Sequence, residues 1–307
     1  MLSYSAIIQK AYRITLSYPS LWLFGLFVVG GFNLNYLHFE HIPLRRLILE
    51  SRFLETVNFF QGHPGFLALA SLSVLVFTLG GLIISNWSRI MLILLGQAAL
   101  KNKNLNLPEQ LKKSADALGT IIKISLLTSG LILVVALALF AWPIFLEVDA
   151  NVQNLLLLAG LLIFLPLTFT ISCINIFTTF YAVVYKKSIG AALNLGTDLF
   201  VSRWPQILGL VVVLMVIYLG SFILGISLIF LARLVFDHIF LLLLRFNILP
   251  FSAIIIMLKF IYNLLLWFLL AGLSVFFNQA LLILFFELNT PIENAEAAKE
   301  PVVAPAV

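Results

Sequence analysis

Three sets of polar side chains interrupt apolar runs at helical spacing, and these residues are the best placed to do chemistry. Thr168, Ser172, Asn175 and Thr179 follow steps of four, three and four, just past Pro166. Ser71, Thr78, Ser85 and Arg89 form a second stripe, and Lys259, Asn263, Ser274 and Asn278 lie close to a third line. Hydroxyls, carboxamides and cations on one helix face can line a path for a solute or hold a lipid headgroup, with Arg89 or Lys259 attracting an anion. The same groups can instead bond helix to helix, at about 0.6 to 2 kcal/mol each. Arg89 and Lys259 then snorkel toward a nearby membrane boundary. We favour the second chemistry, with the first as its alternative.

Other reactive types are sparse. The histidines are His38, His41, His63 and His238, and "HFEH" places His38, Glu40 and His41 close together. A metal site needs three or four ligands converging at about 2 Å, and neither HExxH nor paired-cysteine spacing occurs here. These histidines read as loop and interface residues. No G-x-S-x-G elbow and no phosphate-binding loop stands out. The single cysteine, Cys173, rules out an intrachain disulfide. No catalytic residue, metal or cofactor is expected, and the chain reads as a non-enzyme.

The elements that must position the stripes follow from composition. The chain has 307 residues, of which 62% are hydrophobic and 10% charged, with 28 Phe. A soluble surface needs about a quarter of its residues charged, so lipid must cover the outer faces of a polytopic membrane protein. The net charge of +5 is then a matter of topology and does not point to nucleic acid. The N-terminal run lacks a small-x-small cleavage site and reads as a retained span.

Six stretches approach the roughly 20 apolar residues that a bilayer requires. They are Ser20–Leu37, Gly65–Leu100, Gly119–Leu146, Asn154–Tyr185, Gln206–Phe236 and Phe251–Leu288. With the N-terminus inside, ten Lys and Arg residues fall in inner segments and five in outer ones, which makes both termini cytoplasmic. The inner group is Lys10, Arg13, Lys101, Lys103, Lys112, Lys113, Lys186, Lys187, Arg203 and Lys299, and the outer group is Arg45, Arg46, Arg52, Arg233 and Arg245. Residues 289–307 are Pro- and Ala-rich and read as a disordered tail.

Between these spans lie three amphipathic stretches that read as interfacial elbow helices. "KKSIGAALNLGTDLFVSRWPQ" puts Ile189, Leu193, Gly196, Phe200 and Trp204 on one face and ends at an aromatic followed by Pro205. "SYSAIIQKAYRITLSYPS" puts Tyr4, Ile8, Ala11 and Tyr18 together, and a constant shift pairs Ala6 with Ala192, Tyr18 with Trp204 and Pro19 with Pro205. "LPEQLKKSADALGTII" aligns Leu111, Ala115, Leu118 and Ile122 but lacks the aromatic–Pro ending. Each elbow precedes a helical hairpin. The membrane domain, residues 1–288, therefore reads as three parallel repeats, Met1–Asn106, Leu107–Lys187 and Ser188–Leu288. Independent amphipathic connectors are the alternative. The elbow lysines Lys112, Lys113, Lys186 and Lys187 would meet anionic inner-leaflet lipids, and ordinary positive-inside bias is the favoured alternative.

The order of "SNWSRIMLILLGQAALKNK", "LKKSADALGTIIK" and "YAVVYKKSIGAALNLGTDLFVSRWPQILGL" resembles a loose group of uncharacterised six-span bacterial membrane proteins. It is also similar to the membrane domain attached to some bacterial glycerophosphoryl-diester phosphodiesterases. That resemblance implies a bacterial inner-membrane location and carries over no catalytic residue. The phosphodiesterase chemistry belongs to a separate soluble barrel of about 250 residues, for which this chain has no room. The expectation is a non-catalytic protein of envelope or lipid handling, or the membrane part of an assembly with a protein partner or further copies of itself. A small transporter or channel is the alternative.

Overall fold

The computed structural model describes residues 3–28, 64–101, 106–141, 149–245 and 249–297. These residues form an all-α chain with no strand among them. The helices are α1 (Tyr4–Ser17), α2 (Ser20–Val28), α3 (Pro64–Leu100), α4 (Leu107–Ala136), α5 (Ala150–Val184), α6 (Ile189–Arg245) and α7 (Leu249–Ala297). Within them, five stretches are long and apolar enough to cross a membrane: Gly65–Leu100, Leu107–Ala141, Asn151–Val184, Ile189–Gly225 and Phe260–Asn289. The first expected span, Ser20–Leu37, is seen only as α2, and the rest of it lies outside the described residues.

Local chemistry explains where the helices break. In α6 the backbone leaves helical geometry at Arg203, with φ −126° and ψ 19°, two residues before Pro205. Proline removes an N–H and disfavours helical geometry just before it, so the amphipathic stretch at the start of α6 and the long apolar run after it are separated by a kink. The stretch "LPEQLKKSADALGTII" has no such ending, and α4 runs through it and into the following apolar run without a break. Beyond α4 a π-helical turn covers Leu137–Ala141. It packs on α5, where Phe140 meets Phe164 edge-on at 5.3 Å. Gly160 admits the Leu139 carbonyl there, since a Cβ would stand 3.2 Å from that oxygen. At the other end of the chain α7 continues to Ala297, into the segment read as tail.

The chain divides into two compact units. The first comprises Met1–Tyr18, Arg89–Met215 and Phe276–Val307. Its core is built from Ile90–Leu95 on α3, Phe177–Val183 on α5 and Leu282–Phe285 on α7, with Phe177, Phe180 and Tyr181 ringed around Phe285. The second unit comprises Pro19–Ser88 and Val216–Val275. There Gly25 faces the Ala271 carbonyl so closely that a Cβ would lie 2.5 Å from it, and Trp22 lies over Gly272. Phe24 meets Trp87 edge-on at 5.7 Å. The remaining described side chains of α3 in this unit are largely exposed, as Phe77 shows at 81%.

The three amphipathic segments pack differently from their apolar stripes. In α1 the buried residues are Ile7, Ala11, Ile14 and Thr15, with Tyr4, Ile8 and Tyr18 half-buried. In α6 they are Ala192, Gly196 and Leu199, and Trp204 is 54% exposed. In α4 they are Ser114, Ile121 and Ile124, while Leu111 and Ala115 are exposed. Small residues let neighbouring backbones come close, so the faces carrying Ala11, Ser114 and Gly196 turn to the protein. Other large apolar side chains, among them Leu16, Leu111 and Trp204, are exposed. The interval from Ile7 to Ala192 is the same as from Ala11 to Gly196 and from Ile14 to Leu199. That register differs by one residue from the one aligning Pro19 with Pro205, and it leaves Ala6 exposed where Ala192 is buried.

Candidate functional site

The α5 stripe begins just past Pro166, inside an unbroken helix. Thr168 and Ser172 are half-buried, and the Thr168 hydroxyl oxygen is enclosed without a hydrogen-bond partner. Asn175 reaches α4, where its Oδ1 lies 3.1 Å from Thr128 Oγ1. The same hydroxyl lies 2.9 Å from the Ile124 carbonyl. A hydroxyl has one hydrogen for these two oxygens. Turning the carboxamide end for end would let Nδ2 donate to Thr128 while Thr128 donates to Ile124. Thr179 is 1% exposed, and its oxygen is also without a partner.

The other two stripes fare differently. Ser71 and Thr78 are exposed and Ser85 is half-buried, all in the second unit. Arg89, in the first unit, is half-buried and makes no hydrogen bond or ion pair among the described residues. On α7, Ser274 and Asn278 are half-buried, and they belong to the second and first units respectively. The side chains of Lys259 and Asn263 lie outside the described residues. Thr128–Asn175 is the one cross-helix hydrogen bond that a stripe residue makes among the described residues.

Further contacts of buried polar side chains involve residues that the stripes miss, with Gln279 Oε1 and Thr178 Oγ1 themselves lacking a hydrogen-bond partner. Gln279, next to the expected Asn278, is fully buried and donates its Nε2 to the Leu92 carbonyl at 3.1 Å. Its carboxamide fills the space over Gly96, where a methyl group would collide with it. Tyr181 donates its hydroxyl to Asn289 Oδ1 at 2.7 Å, and Asn289 Nδ2 donates to the Phe285 carbonyl at 2.8 Å. Asn289, the first residue of the segment read as tail, is thus part of the core. Tyr4 donates its hydroxyl to the Gln206 carbonyl at 3.2 Å and lies over Gly209. Thr178 sits against Gly196, whose Cβ would be 2.6 Å from the threonine oxygen and 2.8 Å from its backbone nitrogen.

One residue along a helix is a turn of about 100°. That is why Asn278 is half-buried while Gln279 is enclosed. A sequence signal for these contacts exists only as a glycine on one segment and a polar side chain on a distant one.

The arrangement can do structural chemistry: neutral amide and hydroxyl groups bond one helix to another in an apolar setting. Among the described residues no three of His, Cys, Asp and Glu converge to hold a metal ion. His238 is exposed with Nδ1 2.8 Å from the Leu234 carbonyl, whereas His38, His41 and His63 lie outside the described residues. No family model, no curated protein and no solved structure matches the chain.

Proposed function

We propose that the chain is a non-catalytic, multi-pass membrane protein whose intramembrane polar groups hold helices together. It serves envelope or lipid handling, or forms the membrane part of a larger assembly with a partner polypeptide or further copies. One observation carries this reading: the contrast along the long helices between a buried end and an exposed apolar stretch. On α3, Gly65–Ile84 is largely exposed and Ile90–Leu95 is buried. That exposed part is about 30 Å of helix at 1.5 Å per residue, which is the hydrocarbon thickness of a bilayer. On α5, Leu161–Leu165 is largely exposed and Phe177–Val183 is buried. Burial thus concentrates where the amphipathic segments pack, and lipid would cover the rest.

The finer parts of the proposal rest on sequence. Six spans, three interfacial elbows and both termini inside follow from apolar lengths and from the ten-to-five bias of basic residues, and the bacterial inner membrane is what the resemblance implies. The likeness to the phosphodiesterase-linked membrane domain belongs here too. The shared interval between the buried residues of α1 and α6 supports the reading as parallel repeats.

A second reading, transport of a small solute or lipid, is favoured by Arg89, which lacks an acidic partner among the described residues, and by the unbonded oxygens of Thr168 and Thr179. Native mass spectrometry of gently extracted protein separates the two. The proposal expects membrane lipid, or a second polypeptide or copy, and no small molecule whose retention depends on Asn175 or Arg89. A specific small molecule that disappears in Asn175→Leu or Arg89→Ala would overturn it in favour of transport. Labelling a cysteine placed between Lys101 and Asp116 from outside intact cells tests the topology, and strong labelling would reverse it.

A further inference from the structure

In the first unit, Arg13, Lys123 and Arg203 share one arrangement. Each is exposed and makes no hydrogen bond or ion pair among the described residues. Each also stands beside exposed large apolar side chains. Arg13 has Tyr12 and Leu16 on α1, Lys123 has Leu126 and Leu127 on α4, and Arg203 has Val201 and Trp204 at the α6 kink. By contrast, Lys113 is engaged by Glu109 at 2.6 Å. Lys101, Lys186 and Lys187 are exposed at helix ends, outside the three amphipathic packing faces.

A cation flanked by apolar surface fits one kind of partner well. A phospholipid places a phosphate directly above its acyl chains, so one molecule can satisfy the charge and cover the apolar neighbours together. A soluble anion would use only the charge. An acidic protein would leave the apolar side chains to be matched by chance.

We propose that Arg13, Lys123 and Arg203 are the contact points of this unit for the headgroup phosphates of anionic phospholipids, with Tyr12, Leu16, Leu126, Leu127, Val201 and Trp204 against the chains. This rests on the membrane reading above and adds to it the residues and the lipid class. Arg203 has a particular place in it, because it stands at the break in the α6 helix, next to Trp204 in sequence.

The test reconstitutes the full chain into nanodiscs of mixed phosphatidylglycerol and phosphatidylcholine. It then measures by mass spectrometry which lipid stays bound after transfer to detergent. Wild-type protein is expected to retain phosphatidylglycerol preferentially. Arg13→Gln, Lys123→Gln and Arg203→Gln combined should lower that preference about fivefold at each contact, and each single change should lower it in part. Lys101→Gln, Lys186→Gln and Lys187→Gln remove the same charge and should leave it intact. The set Arg13→Lys, Lys123→Arg and Arg203→Lys should also leave it intact. Equal retention in all these proteins, or an equal loss in the loop-lysine set, would overturn the lipid contacts. Release of wild-type protein from membranes by alkaline carbonate would instead overturn the membrane reading itself.

Discussion

Gln279 lies directly over Gly96, and its Nε2 donates to the carbonyl of Leu92 one turn earlier on the same helix. Two segments far apart in the chain therefore meet at a point where one has no side chain and the other has a polar one. The pairing is specific in both directions. Any side chain at position 96 would displace the carboxamide, and an apolar side chain at 279 would leave the notch to be filled differently.

Replacing Gly96 with alanine places a methyl on the Gln279 carboxamide and should destabilise the protein by about 1–3 kcal/mol. Thermal melting in detergent measures this. Combining it with Gln279→Ala should recover part of the loss, because the carboxamide that collides is gone. An additive double variant would show that the two positions do not touch.

Gly196→Ala should be less forgiving than Gly96→Ala. The added Cβ would meet the Thr178 backbone nitrogen at 2.8 Å as well as its hydroxyl, and backbone cannot rotate away. Gly81 has nothing within 4 Å of such a Cβ, so Gly81→Ala should raise stability by about 1 kcal/mol through helix propensity. Melting curves of the two variants should move in opposite directions.

The Tyr181–Asn289 hydrogen bond predicts the outcome of Tyr181→Phe. The ring still packs on Phe285, at a centroid distance of 4.9 Å, but the buried Asn289 Oδ1 loses its donor. The cost should be about 1–3 kcal/mol. Phe285 itself is untouched by the change, so far-ultraviolet circular dichroism should stay native-like. A change within experimental error in the melting temperature would mean that the bond contributes nothing.

Lys186 sits at φ 51°, just past the end of α5, and Lys187 N–H points to the Tyr181 carbonyl at 3.5 Å. A left-handed residue at a helix C-terminus is usually glycine, because a Cβ there costs roughly 1–2 kcal/mol. Lys186→Gly should therefore raise the melting temperature despite removing a side chain. A fall would show that the lysine makes a compensating contact.

Asn175→Leu should lower stability by about 0.6–2 kcal/mol through loss of the bond to Thr128. Thr128→Val should give a similar loss, and the double variant little more than either, since both remove the same bond. Additive losses from the two single changes would count against a direct bond between them.

The sequence by itself determined the helical, lipid-compatible character of the chain, because apolar runs of this length and the near absence of charge leave few other solutions. It also placed the α6 break, since Pro205 acts through its own ring and the residue before it, which are local effects. Thr128 as the partner of Asn175, Gln279 rather than Asn278 in the core, and Asn289 as part of that core were decided by tertiary structure. So was the face of each amphipathic segment that turns to the protein: Ala11, Ser114 and Gly196 face inward, while Trp204 and Leu111 do not. Each of these depends on how closely two distant backbones approach. That distance is set by glycine and alanine on one segment together with whatever the other brings opposite them, a pairing that spacing along a single helix does not encode.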